Sequence, residues 1–131
     1  MAFPTTRPRR LRTTKTMRRL IAENELSVND LVYPLFTCPG TNVKEPIPSM
    51  DGCFHFSPDT IVAEAAEVAS LGIPAVLLFG LPAKKDPTGS QAWAEDGVVQ
   101  QAIKAIKKET PDLLVITDVC LCEFKIGRAH V

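Results

Sequence analysis

Between residues 57 and 119 the chain passes twice from an amphipathic helical pattern into a short apolar run, and that alternation leaves few architectures open. Ser57-Pro58-Asp59 forms a helix start with a mechanism: Ser as N-cap, Pro preset at the first position, and an acid at the positive end of the helix dipole. Ile61, Val62, Ala65, Val68 and Ala69 follow as one apolar stripe, and Gly72 can close the helix. Ile73-Pro-Ala-Val-Leu-Leu-Phe-Gly80 is then continuously apolar, as expected of a strand covered on both faces in a parallel sheet. The unit repeats. Asp96 is positioned to cap a second helix, Val98, Val99, Ala102, Ile103 and Ile106 form its buried stripe, and Lys104, Lys107 and Lys108 stay outside. Pro111 ends it, and Leu113-Leu-Val-Ile-Thr-Asp-Val119 supplies a strand. Leu31-Val-Tyr-Pro-Leu-Phe36 precedes both units as a strand weakened by Pro34, which cannot donate to a ladder. Strand, helix, strand, helix, strand predicts an α/β fold with three parallel strands and right-handed crossovers.

The loops say where function belongs. Helix-to-strand connections are minimal, at Gly72 and at Pro111-Asp112, whereas residues 37–57 and 81–96 form long strand-to-helix segments, the first with a small hairpin. Elaboration is thus concentrated at the carboxyl ends of the strands, where α/β barrels and open sheets place their sites. No Gly-x-Gly-x-x-Gly follows a strand and no Gly-Lys-Ser/Thr loop occurs, so nucleotide binding loses most of its support.

Lys+Arg and Asp+Glu are 15 each, for zero formal net charge, but the distribution is uneven. Arg7, Arg9, Arg10, Arg12, Lys15, Arg18 and Arg19 all precede the first acid, Glu23, leaving 8 basic against 15 acidic groups in the rest, a net of −7. A basic arm precedes an acidic body. Thr14 can cap a short helix in the arm, with Met17, Leu20 and Ile21 on one side and an end near Asn24. The arm could bind RNA or serve as an organellar presequence, although it lacks interleaved aromatics. No window reaches the length of about 18 apolar residues needed to span a membrane, and the N-terminus has no secretory core, so a soluble, unexported chain with reduced thiols is expected.

The most informative stretch is Thr117-Asp-Val-Cys-Leu-Cys122. In an extended chain Asp118, Cys120 and Cys122 point to one side, which brings two soft ligands and a carboxylate together at the carboxyl end of a strand. A metal role and two inert buried thiols both fit, because free Cys is among the most buried residue types. Cys38, Cys53 and His55 read as packing residues, and Lys84 and Lys85 as a solvated pair that could meet an anionic substrate.

Taken in order, several pieces resemble the porphobilinogen synthase (5-aminolevulinate dehydratase) family: Arg7-Pro-Arg-Arg-Leu-Arg12, Leu31-Val-Tyr-Pro-Leu-Phe36, Pro46-Ile-Pro-Ser-Met50, Gly89-Ser90, Trp93, Asp96-Gly97 and Asp118-Val-Cys-Leu-Cys122. The resemblance implies a TIM (β/α)8 barrel, of which the chain holds the N-terminal arm and about three strands. It divides the chain into an arm at 1–29 and the first part of a barrel at 30–124. It gives the arm a role in a homo-oligomer, commonly an octamer, and lowers the RNA and presequence readings. It implies a lyase that condenses two molecules of 5-aminolevulinate to porphobilinogen for haem and other tetrapyrroles, in the cytoplasm. Cys120 and Cys122 match two of three cysteine ligands of the zinc-dependent branch, and Asp118 matches an active-site acid that positions substrate beside the metal. Mg2+ is a further metal expected of the full-length protein.

The third cysteine and the two Schiff-base lysines implied by the resemblance have no match here, so the sequence is expected to be an N-terminal fragment, inactive alone. Residues 125–131 depart from the family pattern and can be encoded by a run familiar from short-read sequencing adapters; they are expected to be an assembly artefact, and His130 carries no functional weight. The competing expectation is a small non-catalytic α/β module with a basic arm that binds RNA or a protein partner.

Overall fold

The structure is a computed structural model that describes residues 9–127. The elements run α1 (Lys15–Leu20), β1 (Val32–Thr37), β2 (Lys44–Pro46), β3 (Phe54–Phe56), α2 (Ile61–Ser70), β4 (Ala75–Gly80), α3 (Val98–Glu109) and β5 (Leu114–Thr117), with short 3-10 turns at Arg10–Arg12, Val28–Asp30 and Ser90–Ala92. One sheet has the order β2-β3-β1-β4-β5. β1, β4 and β5 pair in parallel and in chain order, with Tyr33 opposite Val76, Leu35 opposite Leu78, and Leu78 opposite Thr117.

The expected count of three strands is corrected to five. The hairpin expected within residues 37–57 is present as antiparallel β2 and β3, but it also joins the main sheet, since β3 runs parallel to β1 through Phe36 opposite His55 and Thr37 opposite Phe56. Each hairpin strand is only three residues long, too short to show a period, and the β1–β3 pairing joins residues 19 apart in sequence.

β1 is consequently central and still carries Pro34. The Cys38 N–H donates to the Phe56 carbonyl, so the alternate positions 36 and 34 face the β3 side. Pairing with β3 starts only at Phe36, and the missing donor of Pro34 falls below it.

The two long helices are where the stripes place them. Ile61, Ala65 and Val68 of α2 and Val98, Ala102 and Ile106 of α3 are buried, the helices touch one another, and both pack on the side of the sheet that carries Leu35, Val76 and Leu78. On the opposite face Phe36 stacks on Phe79 with ring centroids 5.2 Å apart, while Leu114 and Ile116 remain exposed. An open doubly wound sheet reverses its strand order and carries helices on both faces. Here β1, β4 and β5 follow one another in chain order, β3 returns to the other side of β1, and the two long helices share one face.

Local starts and stops differ from the sequence expectations in instructive ways. α2 begins at Ile61 rather than at Pro58, because the Ser57 hydroxyl accepts from the Val43 N–H and Asp59 accepts from the Asn42 N–H, tying this turn to the β1–β2 connection instead of capping the helix. Asp96 does not cap α3 through its side chain; Gly97 occupies the N-cap, and the Asp96 carbonyl accepts from Gln101 Nε2. Lys107, expected to be solvated, reaches past the helix end to the carbonyls of Pro111 and Leu113 at 2.7 and 2.8 Å and so secures the turn into β5. α1 has its Thr14 cap but ends at Leu20, not near Asn24. Its apolar residues Leu20 and Ile21 are exposed.

Candidate functional site

The carboxyl ends of β4 and β5, together with the loop 81–96 and the segment after β5, enclose a cavity of about 330 Å3. Its walls are largely apolar, including Phe79, Val99, Ile103 and Phe124, and Trp93 stands at its edge with most of its surface exposed. Asp118 and Glu123 bring carboxylates to it and Cys120 a thiol. A mostly apolar hollow with few convergent polar groups is the ordinary form of a small-molecule site.

Gly80 explains how the cavity wall closes. It lies at the end of β4 and is buried, and a Cβ there would stand 2.3 Å from Val99 Cγ2 and 3.0 Å from Phe124 Cζ. Only hydrogen fits between strand, helix and the segment after β5.

The backbone at Asp118 is still fixed to the sheet, its N–H donating to the Leu78 carbonyl at 3.2 Å. Beyond it the extended chain does not continue as expected. β5 ends at Thr117, and by residue 121 the chain turns, with the Phe124 and Lys125 N–H groups both donating to the Leu121 carbonyl. Strict alternation therefore fails: Glu123 joins Asp118 and Cys120 in one group, while Cys122 meets Cys120 from beside it. The ligand atoms of Asp118, Cys120 and Glu123 all lie within 4.8 Å of one another, while Cys122 is exposed beside them and its N–H donates to Cys120 Sγ at 3.5 Å. Glu123 was not among the sequence candidates. Its signal was the spacing of three residues from Cys120, which brings side chains together in a turn and separates them in a strand.

The Cys120 thiol is held above its ordinary pKa, first by its hydrogen bond with the Cys122 side chain and further by desolvation and the Glu123 charge, against an opposing contribution from the Cys122 N–H. The chemistry of this donor set suits a borderline-soft ion. Tetrahedral zinc with thiolate and carboxylate ligands at about 2.0–2.3 Å spaces its donors about 3.3–3.8 Å apart. The ligand atoms of Asp118, Cys120 and Glu123, all within 4.8 Å of one another, form a group of about this size.

The remaining sequence candidates lie elsewhere. His55 is in β3 with its ring edge-on to Phe36 at 6.3 Å. Cys38 and Cys53 are partly buried free thiols, and burial followed by the Glu45 charge pushes the Cys38 thiol up. Lys84 and Lys85 are exposed, and Lys85 Nζ donates to the Cys122 carbonyl at 3.2 Å. Arg7 and His130 lie outside the described residues. No described helix is long and apolar enough to cross a membrane.

Comparison with known proteins converges on one family. The family described as delta-aminolevulinic acid dehydratase matches residues 5–130. The protein of that name from Synechocystis sp. is 54% identical over 122 residues, covering 93% of this chain and 37% of the relative. The one from Halalkalibacterium halodurans is 49% identical over 118 residues, covering 90% of this chain and 36% of the relative. Among solved structures, delta-aminolevulinic acid dehydratase (porphobilinogen synthase) from Toxoplasma gondii ME49, in complex with the reaction product porphobilinogen, superposes with a TM-score of 0.84 at 34% identity, covering 92% of this chain and 34% of that one. The chain spans a little over a third of the length of these curated relatives.

Proposed function

The chain belongs to the delta-aminolevulinic acid dehydratase family, and from that premise we propose that it forms the metal side of a porphobilinogen synthase active site, in a protein that condenses two molecules of 5-aminolevulinate to porphobilinogen. The observation that carries this reading is the meeting of Asp118, Cys120 and Glu123 at the carboxyl end of β5, on the wall of a cavity large enough for a small metabolite. The family membership favours the enzyme over a small RNA- or partner-binding module.

Cys120 and Cys122 are the residues that would hold zinc, with Asp118 and Glu123 beside them. Bound there, zinc would supply Lewis acidity toward a substrate carbonyl or hydroxyl oxygen. Asp118, fixed through its backbone to β4, orients substrate and holds or moves a proton next to that oxygen. Phe79, Val99 and Phe124 line the apolar wall and exclude water, which strengthens each polar contact made there. The resemblance implies Schiff-base lysines that have no match among these residues, so turnover is expected of the longer protein and not of the 131 residues alone.

The parallel run β1-β4-β5 in chain order and the single helix-bearing face suit a sector of a TIM barrel, with the Phe36–Phe79 face as its interior. The exposed apolar residues of the arm, Leu11, Leu20 and Ile21, are suited to burial against another subunit in a homo-oligomer. The cytoplasm, where thiols stay reduced, is the compartment that suits the free cysteines.

The test is a chimera in which residues 7–124 replace the matching segment of the Synechocystis relative, assayed for porphobilinogen formation from 5-aminolevulinate. Turnover that is lost on chelation, restored by zinc and abolished by Cys120→Ser is the expected result. Full turnover by the Cys120→Ser chimera refutes the metal assignment.

A further inference from the structure

The mechanism above leaves one organised cluster unused: the turn at residues 86–90, in the loop between β4 and α3. The Asp86 carboxylate collects the N–H groups of Thr88 and Ser90, at 2.8 Å and 3.1 Å to Oδ1, and the hydroxyls of the same two residues. These bonds, led by that of the Ser90 hydroxyl, hold the carboxyl far below the usual range although it is not deeply buried. The turn so fixed also reaches outward from its own loop. The Asp86 N–H donates to the Phe124 carbonyl at 3.2 Å, and the neighbouring Lys85 ammonium donates to the Cys122 carbonyl at 3.2 Å. Gly89, with φ of +66°, lies against Phe124 so closely that a Cβ there would sit 3.7 Å from Phe124 Cβ. Three contacts therefore reach the backbone and side chain of the segment that presents Cys120, Cys122 and Glu123. That segment has lost its ladder to β4 after Asp118, and among the described residues its further backbone bonds to the rest of the protein all run to this loop.

We propose that Asp86 is a positioning residue: by fixing the 86–90 turn, it holds the Cys120–Phe124 turn in the geometry that presents the Cys120 thiol and the Glu123 carboxylate to one point. The inference rests on the metal reading for its purpose but not for its mechanics. Groups that orient metal ligands from behind are commonly worth about 10- to 100-fold in metal affinity. An acid without its own ligand role suits this task because it gathers several donors in a short loop while remaining charged.

The four cysteines provide a test with an internal control, because Cys120 and Cys122 lie on the segment concerned and Cys38 and Cys53 lie elsewhere in the structure. The full 131-residue chain, metal-free, is alkylated under native conditions with N-ethylmaleimide, and the rate at each cysteine is read by mass spectrometry. In Asp86→Ala the rate at Cys120 should rise by about tenfold, as expected when local closure is weakened, while Cys38 and Cys53 react at the wild-type rate. Asp86→Asn keeps one acceptor oxygen and should fall between the two. A uniform rise at all four cysteines would mean general destabilisation, and an unchanged Cys120 rate would mean that the turn positions nothing; either result overturns the proposal. A Co2+ titration, read by the thiolate-to-metal charge-transfer band, then separates the two inferences. Wild-type chain without the band counts against the metal reading alone, whereas a band of equal midpoint in wild type and Asp86→Ala counts against the positioning role.

Discussion

Gly80→Ala tests whether the joint between strand, helix and site segment is as tight as described. The new methyl group would stand 2.3 Å from Val99 Cγ2, 3.0 Å from Phe124 Cζ and 3.5 Å from Val98 Cγ1. Ordinary carbon contacts lie at about 3.5–4.0 Å, so Val99 must retreat by more than about 1 Å and Phe124 by about half as much. Val99 cannot do so by changing rotamer at low cost, since a β-branched residue in a helix has one strongly preferred χ1. The start of α3 must shift, and overpacking of this kind costs about 1–3 kcal/mol. For a chain of this size that corresponds to a fall in Tm of about 3–12 °C, measured by thermal unfolding under circular dichroism. The companion variant Val99→Ala removes the methyl groups that obstruct the alanine, and the double variant should recover at least about 1 kcal/mol relative to the sum of the single changes. A Tm for Gly80→Ala within about 1 °C of wild type, or strict additivity in the double variant, would refute the argument.

Further expectations concern the core, acid stability and the arm. Ile106→Ala, which empties a fully buried position shared by α3 and the sheet face, should cost about 2–5 kcal/mol in denaturant unfolding. Thr37→Val should be neutral or stabilising by about 1 kcal/mol in the same assay, because the buried Thr37 hydroxyl has no hydrogen-bond partner to lose. Asp86 has a lowered pKa in the folded state, so its contribution is present above the unfolded value of about 3.9 and is lost as pH falls through the still lower folded value. Alkylation of Cys120 should accordingly show no acceleration from opening of the 86–90 turn between about pH 5 and 7, once corrected for the thiolate fraction. Leu20→Glu should leave the melting of the β1–β5 sheet unchanged, because Leu20 is exposed, while reducing self-association in sedimentation velocity.

The parts of this structure that were legible beforehand are those where a repeating chemical pattern meets one dominant force. The stripes of α2 and α3 show a helical period because one side of each helix must leave water, and Ile61, Ala65, Val68, Val98, Ala102 and Ile106 are buried accordingly. β4 was legible as a run of apolar residues for the same reason. What escaped was set by partners distant in sequence. Ser57 and Asp59 have the composition of a helix cap, but the backbone of residues 42 and 43 claims their oxygens. Pro34 argues against a central strand until the neighbouring strand proves too short to oppose it. At the site, Asp118 and Cys120 could be picked out by type and place. The turn at 121–124 contains no Gly or Pro to announce it, so the approach of Glu123 to Asp118 and Cys120 had no local marker.

The order of the parallel strands bears on how such a sheet comes into being. A polypeptide leaves the ribosome amino end first, and β4 adds to the side of β1 opposite β3 before β5 adds to β4. β1 can wait for β4, and the pair can then wait for β5, with no insertion between strands already joined. The edge offered by β5, with Leu114 and Ile116 uncovered, is thus both the newest surface and the one on which a nascent neighbour can condense. While unpaired, the same edge is an opening for another chain's strand.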